Sequence, residues 1–154
     1  AVEQVMTQVG IAGLRDRIVT TLSGGEQQRT HFARILVQLA CGDSERGPGL
    51  LLLDEPTSSL DLRHQIDLLA TVRQYTSRGI AAIAVLHDLN LASMFAQRVI
   101  MLHAGRIAAD GPASNTITDE MLKRVFHVTN AVSRTPAGGM PFVLPHGIVS
   151  RQPG

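Results

Sequence analysis

Two uninterrupted apolar runs, each ending in a charged or ionisable residue, constrain this chain more than anything else in it. Leu50-Leu51-Leu52-Leu53 leads straight into Asp54-Glu55, and Ile80 to Leu86 leads into His87. Runs of this length without polar alternation are expected for parallel strands covered on both faces. Between them Asp61 can cap a helix whose apolar positions Ile66, Leu69 and Val72 recur at helical spacing, and Gly79 can stop it. The expectation is a strand-helix-strand unit of the α/β class. It delivers Asp54, Glu55 and His87 to the carboxyl ends of strands, where open α/β sheets bind their ligands.

The flanking sequence extends this picture in both directions. Ala1 to Val9 reads as the end of a helix stopped by Gly10, so the start reads as a cut inside a helix, with the amino-terminal part of a longer parent expected before it. Ser23 begins a new helix with Glu26 three residues on, the capping-box spacing, and Phe32, Ile35, Leu36 and Leu39 then follow at helical intervals to about Ala40. Gly42 to Gly49 reads as an exposed loop. After a short helix, Leu89 to Ala96, the segments Val99 to Leu102 and Arg106 to Ala109 flank His103-Ala104-Gly105 as a hairpin, which makes the sheet mixed. Thr118 or Asp119 caps a last helix through Phe126, Asn130 to Arg134 and Met140 to Leu144 read as short strands, and residues after Pro145 as frayed. Residues 1–145 are expected to form one partial domain, divided as 1–21, 22–110 and 111–145, with 146–154 as a tail.

Bulk properties exclude some roles. A net charge of +1, with basic groups scattered along the chain, gives no broad attraction to nucleic acid or anionic lipid. The single cysteine, Cys41, cannot form an intramolecular disulfide; it fits a reducing compartment and is expected as a small buried apolar residue. The longest apolar run falls far short of the ~20 residues that span a bilayer, so membrane attachment is expected through a partner.

Three groups of residues can carry chemistry. Ser23-Gly24-Gly25 opens a helix, where the first amides lack internal partners and the dipole favours an anion; two glycines clear the approach and the serine hydroxyl can donate. A Ser-x-x-Glu pattern is equally what a plain structural cap requires. Asp54 and Glu55 form an acidic pair emerging at a strand end, and either can also be read plainly, Asp54 as a helix or turn cap and Glu55 as a solvated loop acid. His87 at a strand end can act on a ligand or simply complete a surface. His31, His64, His103, His127 and His146 show no ligand-like spacing and read as structural or exposed.

The string Leu22-Ser23-Gly24-Gly25-Glu26-Gln27-Gln28-Arg29, followed by Leu51-Leu52-Leu53-Asp54-Glu55-Pro56, by Thr57-Ser58-Ser59-Leu60-Asp61 and by Val85-Leu86-His87-Asp88, resembles the signature, Walker B, D-loop and switch elements of ABC ATPases. The resemblance covers about Leu14 to Asp110 and implies a domain of the P-loop NTPase type, with a mainly parallel sheet flanked by helices. It implies ATP and Mg²⁺ as cofactors. Ser23, Gly24, Gly25, Glu26 and Asp61 would bind nucleotide, Asp54 would hold Mg²⁺ through water, Glu55 would be the catalytic base, and His87 would meet the γ-phosphate. Family members pair head to tail, each nucleotide lying between the Walker A loop of one copy and the signature helix of the other. That loop needs Gly-x-x-x-x-Gly-Lys-Ser/Thr, and the only lysine here is Lys123, in Met121-Leu122-Lys123-Arg124. The chain alone is therefore expected to hydrolyse ATP negligibly.

Finer features are similar to ATPases of haem, siderophore and cobalamin import, the haem subgroup above all. They are Leu86-His87-Asp88-Leu89-Asn90-Leu91-Ala92, the Gly42 to Gly49 loop, Asp61-Leu62-Arg63-His64-Gln65 and Phe142-Val143-Leu144-Pro145. The implied partners are a second ATPase copy, transmembrane permease subunits and a periplasmic substrate-binding protein, with no nucleic acid. The implied place is the cytoplasmic face of a bacterial inner membrane. The soluble ABC ATPases of DNA repair and translation share the signature and Walker B elements, but their coiled-coil or tandem insertions have no counterpart in this sequence.

Overall fold

A computed structural model of the chain describes residues 1–42, 49–129, 131–136, 138 and 141–145. The chain divides into two units, Ala1–His87 and Asp88–Gly154. In the first, α1 (Val2–Gln8) ends before Gly10, whose φ of 71° suits a residue without a Cβ. Two single turns, Ala12–Leu14 and Val19–Thr21, lead into α2 (Gly24–Ala40). Of the expected stripe, Phe32 and Leu36 are buried, together with Ala33, whereas Ile35 and Leu39 are half-buried. Cys41 closes α2 and is exposed, not buried as expected. It is the C-cap residue, one position past the last helical residue Ala40. The Gly42 to Gly49 loop lies mostly outside the described residues.

The core of this unit is the strand-helix-strand motif. Strand β1 (Leu50–Asp54) pairs in parallel with β2 (Ala81–Val85), Leu50 opposite Ala81 and Asp54 opposite Val85. Helix α3 (Leu62–Thr76) connects them, capped by Asp61 and burying Ile66, Leu68, Leu69, Val72 and Tyr75. The expectation of cover on both faces is corrected. Leu51 and Leu53 are buried, but Leu50, Leu52, Ile83 and Val85 are 54%, 64%, 60% and 49% exposed. A run of leucines reports what a strand needs on its two sides, not how much of that cover its own chain supplies.

The second unit opens with α4 (Leu89–Phe95), capped by Asp88, whose side chain accepts from the Asn90 and Leu91 amides. The hairpin of β3 (Val99–His103) and β4 (Arg106–Gly111) is antiparallel with an irregularity after Met101, and turns through Ala104 and Gly105 in left-handed conformations. The two described sheets are thus two-stranded, one parallel and one antiparallel. After α5 (Ala113–Thr116), Thr118 caps α6 (Asp119–Phe126), and His127 ends it at φ 57°. Where strands were expected at Asn130 to Arg134 and Met140 to Leu144, the described residues 131–134 and 141–144 form none. The Asp119 carboxylate instead accepts from the Ala131 and Val132 amides, which fixes the start of this segment in a turn. The tail after Pro145 lies outside the described residues.

Candidate functional site

All of the expected site residues fall in the first unit. Ser23 caps α2 through the expected box, but its two arms differ. The Ser23 amide donates to Glu26 Oε2 at 2.8 Å, whereas the Glu26 amide reaches Ser23 Oγ only at 3.4 Å. The Gln27 amide donates to the Ser23 carbonyl. The Gly24 and Gly25 amides are left without partners among the described residues, and the Ser23 hydroxyl, accepting at Oγ, keeps its own proton to donate. Two amides and a hydroxyl at this helix start form a cradle that can accept an anion. The short bond from the Ser23 amide, more than any other influence, holds the Glu26 carboxyl below its ordinary range.

The two glycines do different work. A Cβ on Gly24 would meet nothing within 4 Å, so Gly24 keeps the face of the cradle open. A Cβ on Gly25 would lie 3.1 Å from the Ser59 carbonyl oxygen, so Gly25 allows the helix start to lie against the loop from Glu55 to Asp61. The sequence expects both to clear a ligand's path; Gly25 in addition permits a backbone approach within the chain.

Asp54 is the last residue of β1, exposed, and its carboxylate has no hydrogen-bond partner among the described residues. Glu55 follows at φ 45°, a left-handed conformation uncommon outside glycine. Its carboxylate Oε1 lies 2.7 Å from His87 Nε2, with side chains 46% and 73% exposed. The parallel register brings this pair together, because β1 and β2 end side by side.

Two glutamines hold the loop after Glu55, and sequence reasoning assigned a role to neither. Gln28 Nε2 donates to the Glu55 carbonyl at 3.1 Å while its Oε1 accepts from the Ser59 amide at 3.2 Å. From α3, Gln65 Nε2 donates to the Thr57 and Leu60 carbonyls at 3.1 and 3.0 Å. Ser58 adds its amide and hydroxyl to the Glu55 carbonyl. Asp61 spends one carboxylate oxygen capping α3, accepting from the His64 amide at 2.9 Å and lying 2.8 Å from His64 Nδ1. The bond from the His64 amide is the main reason its carboxyl is held low.

Among the described residues no three His, Cys, Asp or Glu side chains converge as a metal cluster. A Mg²⁺ ion that keeps most of its waters and shares phosphate oxygens needs only one or two carboxylates, and unpartnered Asp54 fits that demand. Among the described residues no helix is long and apolar enough to cross a membrane.

A helix start with two unpartnered amides, an unpartnered carboxylate at a strand end and a Glu–His contact at neighbouring strand ends make up the candidate site, and comparison with known proteins shows what the chain resembles. The ABC transporter family profile matches residues 1–58. The chain is also similar in fold to a structure described as an inward-facing metal-chelate type ABC transporter, at 29% identity and TM-score 0.69, over 83% of this chain and 48% of that one. It shares the fold of an ABC transporter ATP-binding cassette in its ADP conformation, at 19% identity and TM-score 0.66, over 82% and 48% of the two chains. These comparisons make the chain similar to part of an ABC transporter ATP-binding protein.

Among curated proteins it is similar to hemin import ATP-binding proteins HmuV. Identity is 56% to that of Rhodopseudomonas palustris strain BisB18, over 99% of this chain and 56% of the relative. It is 55% to that of Bradyrhizobium diazoefficiens, over 96% and 54%, and 46% to that of Rhizobium meliloti strain 1021, over 93% and 55%. The chain thus spans about half the length of the curated relatives it matches.

Proposed function

We propose that this chain contributes the signature helix, Walker B carboxylates and switch histidine to an ATP-hydrolysing subunit of an ABC importer, and that the importer carries hemin across a bacterial inner membrane. The observation that carries the hydrolase part is the Glu55–His87 contact of 2.7 Å beside an unpartnered Asp54. The hemin part rests on the identity of about half of all positions with relatives of that name.

In this reading Ser23 Oγ and the Gly24 and Gly25 amides bind the terminal phosphate of a nucleotide held on its other side by a neighbouring copy's Walker A loop. Asp54 would hold Mg²⁺ through water, and the ion would supply neutralisation of phosphate charge. His87 pins Glu55 Oε1, which leaves Oε2 to accept the proton of an attacking water. Glu26 serves by shaping the cradle, and Asp61 stands at the far end of the loop that borders it. The subunit works as a head-to-tail pair on the cytoplasmic face, attached through permease subunits and supplied by a periplasmic binding protein.

The test mixes the purified chain with a Walker A-bearing partner subunit. Magnesium-dependent ATP hydrolysis that appears only in the mixture and disappears with Glu55→Gln supports the hydrolase reading; activity unchanged by Glu55→Gln refutes it. Vesicles containing the complete importer, offered hemin, a ferric siderophore or cobalamin, then decide the cargo. Uptake of either of the latter two in preference to hemin refutes the hemin assignment.

A further inference from the structure

Helix α2 begins in the phosphate cradle and, one turn later, presents Gln28 to the loop that carries Glu55. Gly24 and Gly25 lie four and three residues before Gln28, so all three share one face of the helix. The Gln28 carboxamide donates to the Glu55 carbonyl at 3.1 Å and accepts from the Ser59 amide at 3.2 Å. Only a carboxamide of this length makes both bonds: a carboxylate cannot donate, an ammonium cannot accept, and asparagine is one methylene shorter. The same helix start touches the loop directly where Gly25 faces the Ser59 carbonyl. Glu55 itself sits in a left-handed backbone conformation, and its direction toward His87 depends on that conformation being maintained.

We propose that Gln28 is a positioning residue that transmits phosphate occupancy at the start of α2 to the placement of the general base Glu55. The inference rests on the reading of Glu55 as base and of Ser23 to Gly25 as phosphate ligands given above. Its consequence reaches further than one site. In a head-to-tail pair the cradle of a chain faces one nucleotide and its Glu55 faces the other, so Gln28 links two sites through a single side chain. A phosphate that draws the start of α2 toward itself moves a rigid helical turn, and the carboxamide carries that movement to the Glu55 carbonyl and the Ser59 amide together.

The experiment uses the complete subunit in its assembled pair and compares Gln28→Ala, Gln28→Glu and Glu55→Gln by ATP hydrolysis over a range of ATP concentrations. Loss of one such hydrogen bond at a transition state corresponds to a fall in kcat of up to about tenfold. Gln28→Ala is expected to lower kcat on that scale with KM changed less than about twofold, and to bring the Hill coefficient toward one. Gln28→Glu, which keeps the acceptor for Ser59 and loses the donor to Glu55, is expected to show the same fall in kcat and loss of cooperativity. Unchanged kcat and Hill coefficient in either variant, or a rise in KM alone, overturns the proposal. If Gln28→Ala does not fold, Gln28→Glu decides by the same criteria. Glu55→Gln separates the two levels: full activity in that variant means that Glu55 is not the base, whatever Gln28 does.

Discussion

Gly24 and Gly25 are adjacent, chemically identical and both in the first turn of α2, yet alanine at the two positions is expected to shift stability in opposite directions. Replacing glycine by alanine at a compatible helical position stabilises by about 0.4–1 kcal/mol, largely by restricting the unfolded chain. At Gly24 the new methyl meets nothing within 4 Å, so about 0.5 kcal/mol of that gain should remain in the first turn, where propensity counts for less. At Gly25 the methyl lies 3.1 Å from the Ser59 carbonyl oxygen and 3.6 Å from Leu60 Cδ2. The carbonyl must retreat by a few tenths of an ångström, but the amide of the same residue is held by Gln28 at 3.2 Å and the next amide is tied to Thr57. Overpacking against such a restrained group costs about 1–3 kcal/mol, which outweighs the helical gain.

The two variants should therefore differ by about 1–3 kcal/mol in urea unfolding at constant slope, Gly24→Ala above the parent and Gly25→Ala below it. Function should reverse the order of tolerance. The Gly24 methyl projects into the open face of the cradle, so Gly24→Ala should abolish nucleotide-dependent association with a Walker A-bearing partner while the chain itself grows more stable. Equal unfolding midpoints, or a Gly25→Ala variant as stable as Gly24→Ala, would refute the assignment of Gly25 to the loop contact.

Four further outcomes are expected. Glu55→Gly should raise the unfolding midpoint by up to about 1 kcal/mol, the left-handed penalty less an exposed ion pair, whereas Glu55→Gln should leave it near the parent; both should abolish hydrolysis in the assembled pair. Gln65→Ala strips a donor from the Thr57 and Leu60 carbonyls and should cost about 1–3 kcal/mol in the same assay. Asp110 is held low by its bidentate bonds from Arg98, Asp119 by the Val132 and Ala131 amides, and Glu26 and Asp61 by the Ser23 and His64 amides, so their stabilisation is complete above ordinary carboxylate values near ~4 and is lost as pH falls through the depressed folded values. Unfolding midpoints followed downward from pH 5 should fall, and Asp110→Asn should lessen the fall. The chain alone should show no magnesium-dependent ATP turnover; turnover removed by Glu55→Gln would contradict the need for a second subunit.

What could be read from the sequence was local. The capping box needs only Ser23 and Glu26, α3 only Asp61 and the spacing of Ile66, Leu69 and Val72, and the strand ends only two apolar runs; each of these signals lies within one element. The bonds that organise the site do not. Gln28 reaches Glu55 across 27 residues and Ser59 across 31, and in sequence it is one of two neighbouring glutamines on a polar helix. Nothing in periodicity distinguishes Gln28 from Gln27, which donates to the Leu22 carbonyl of its own turn. The failed expectations have the same origin. Cys41 has the chemistry of a buried residue but sits at a helix end, and Leu50 and Leu52 have that of a covered strand but lie open in this chain. Side-chain chemistry states what a residue requires, whereas position depends on contacts made far along the chain. The glycine pair shows the distinction at its sharpest: Gly24 and Gly25 are interchangeable to any local rule, and only the approach of the Ser59 carbonyl gives one a structural reason and leaves the other facing open space.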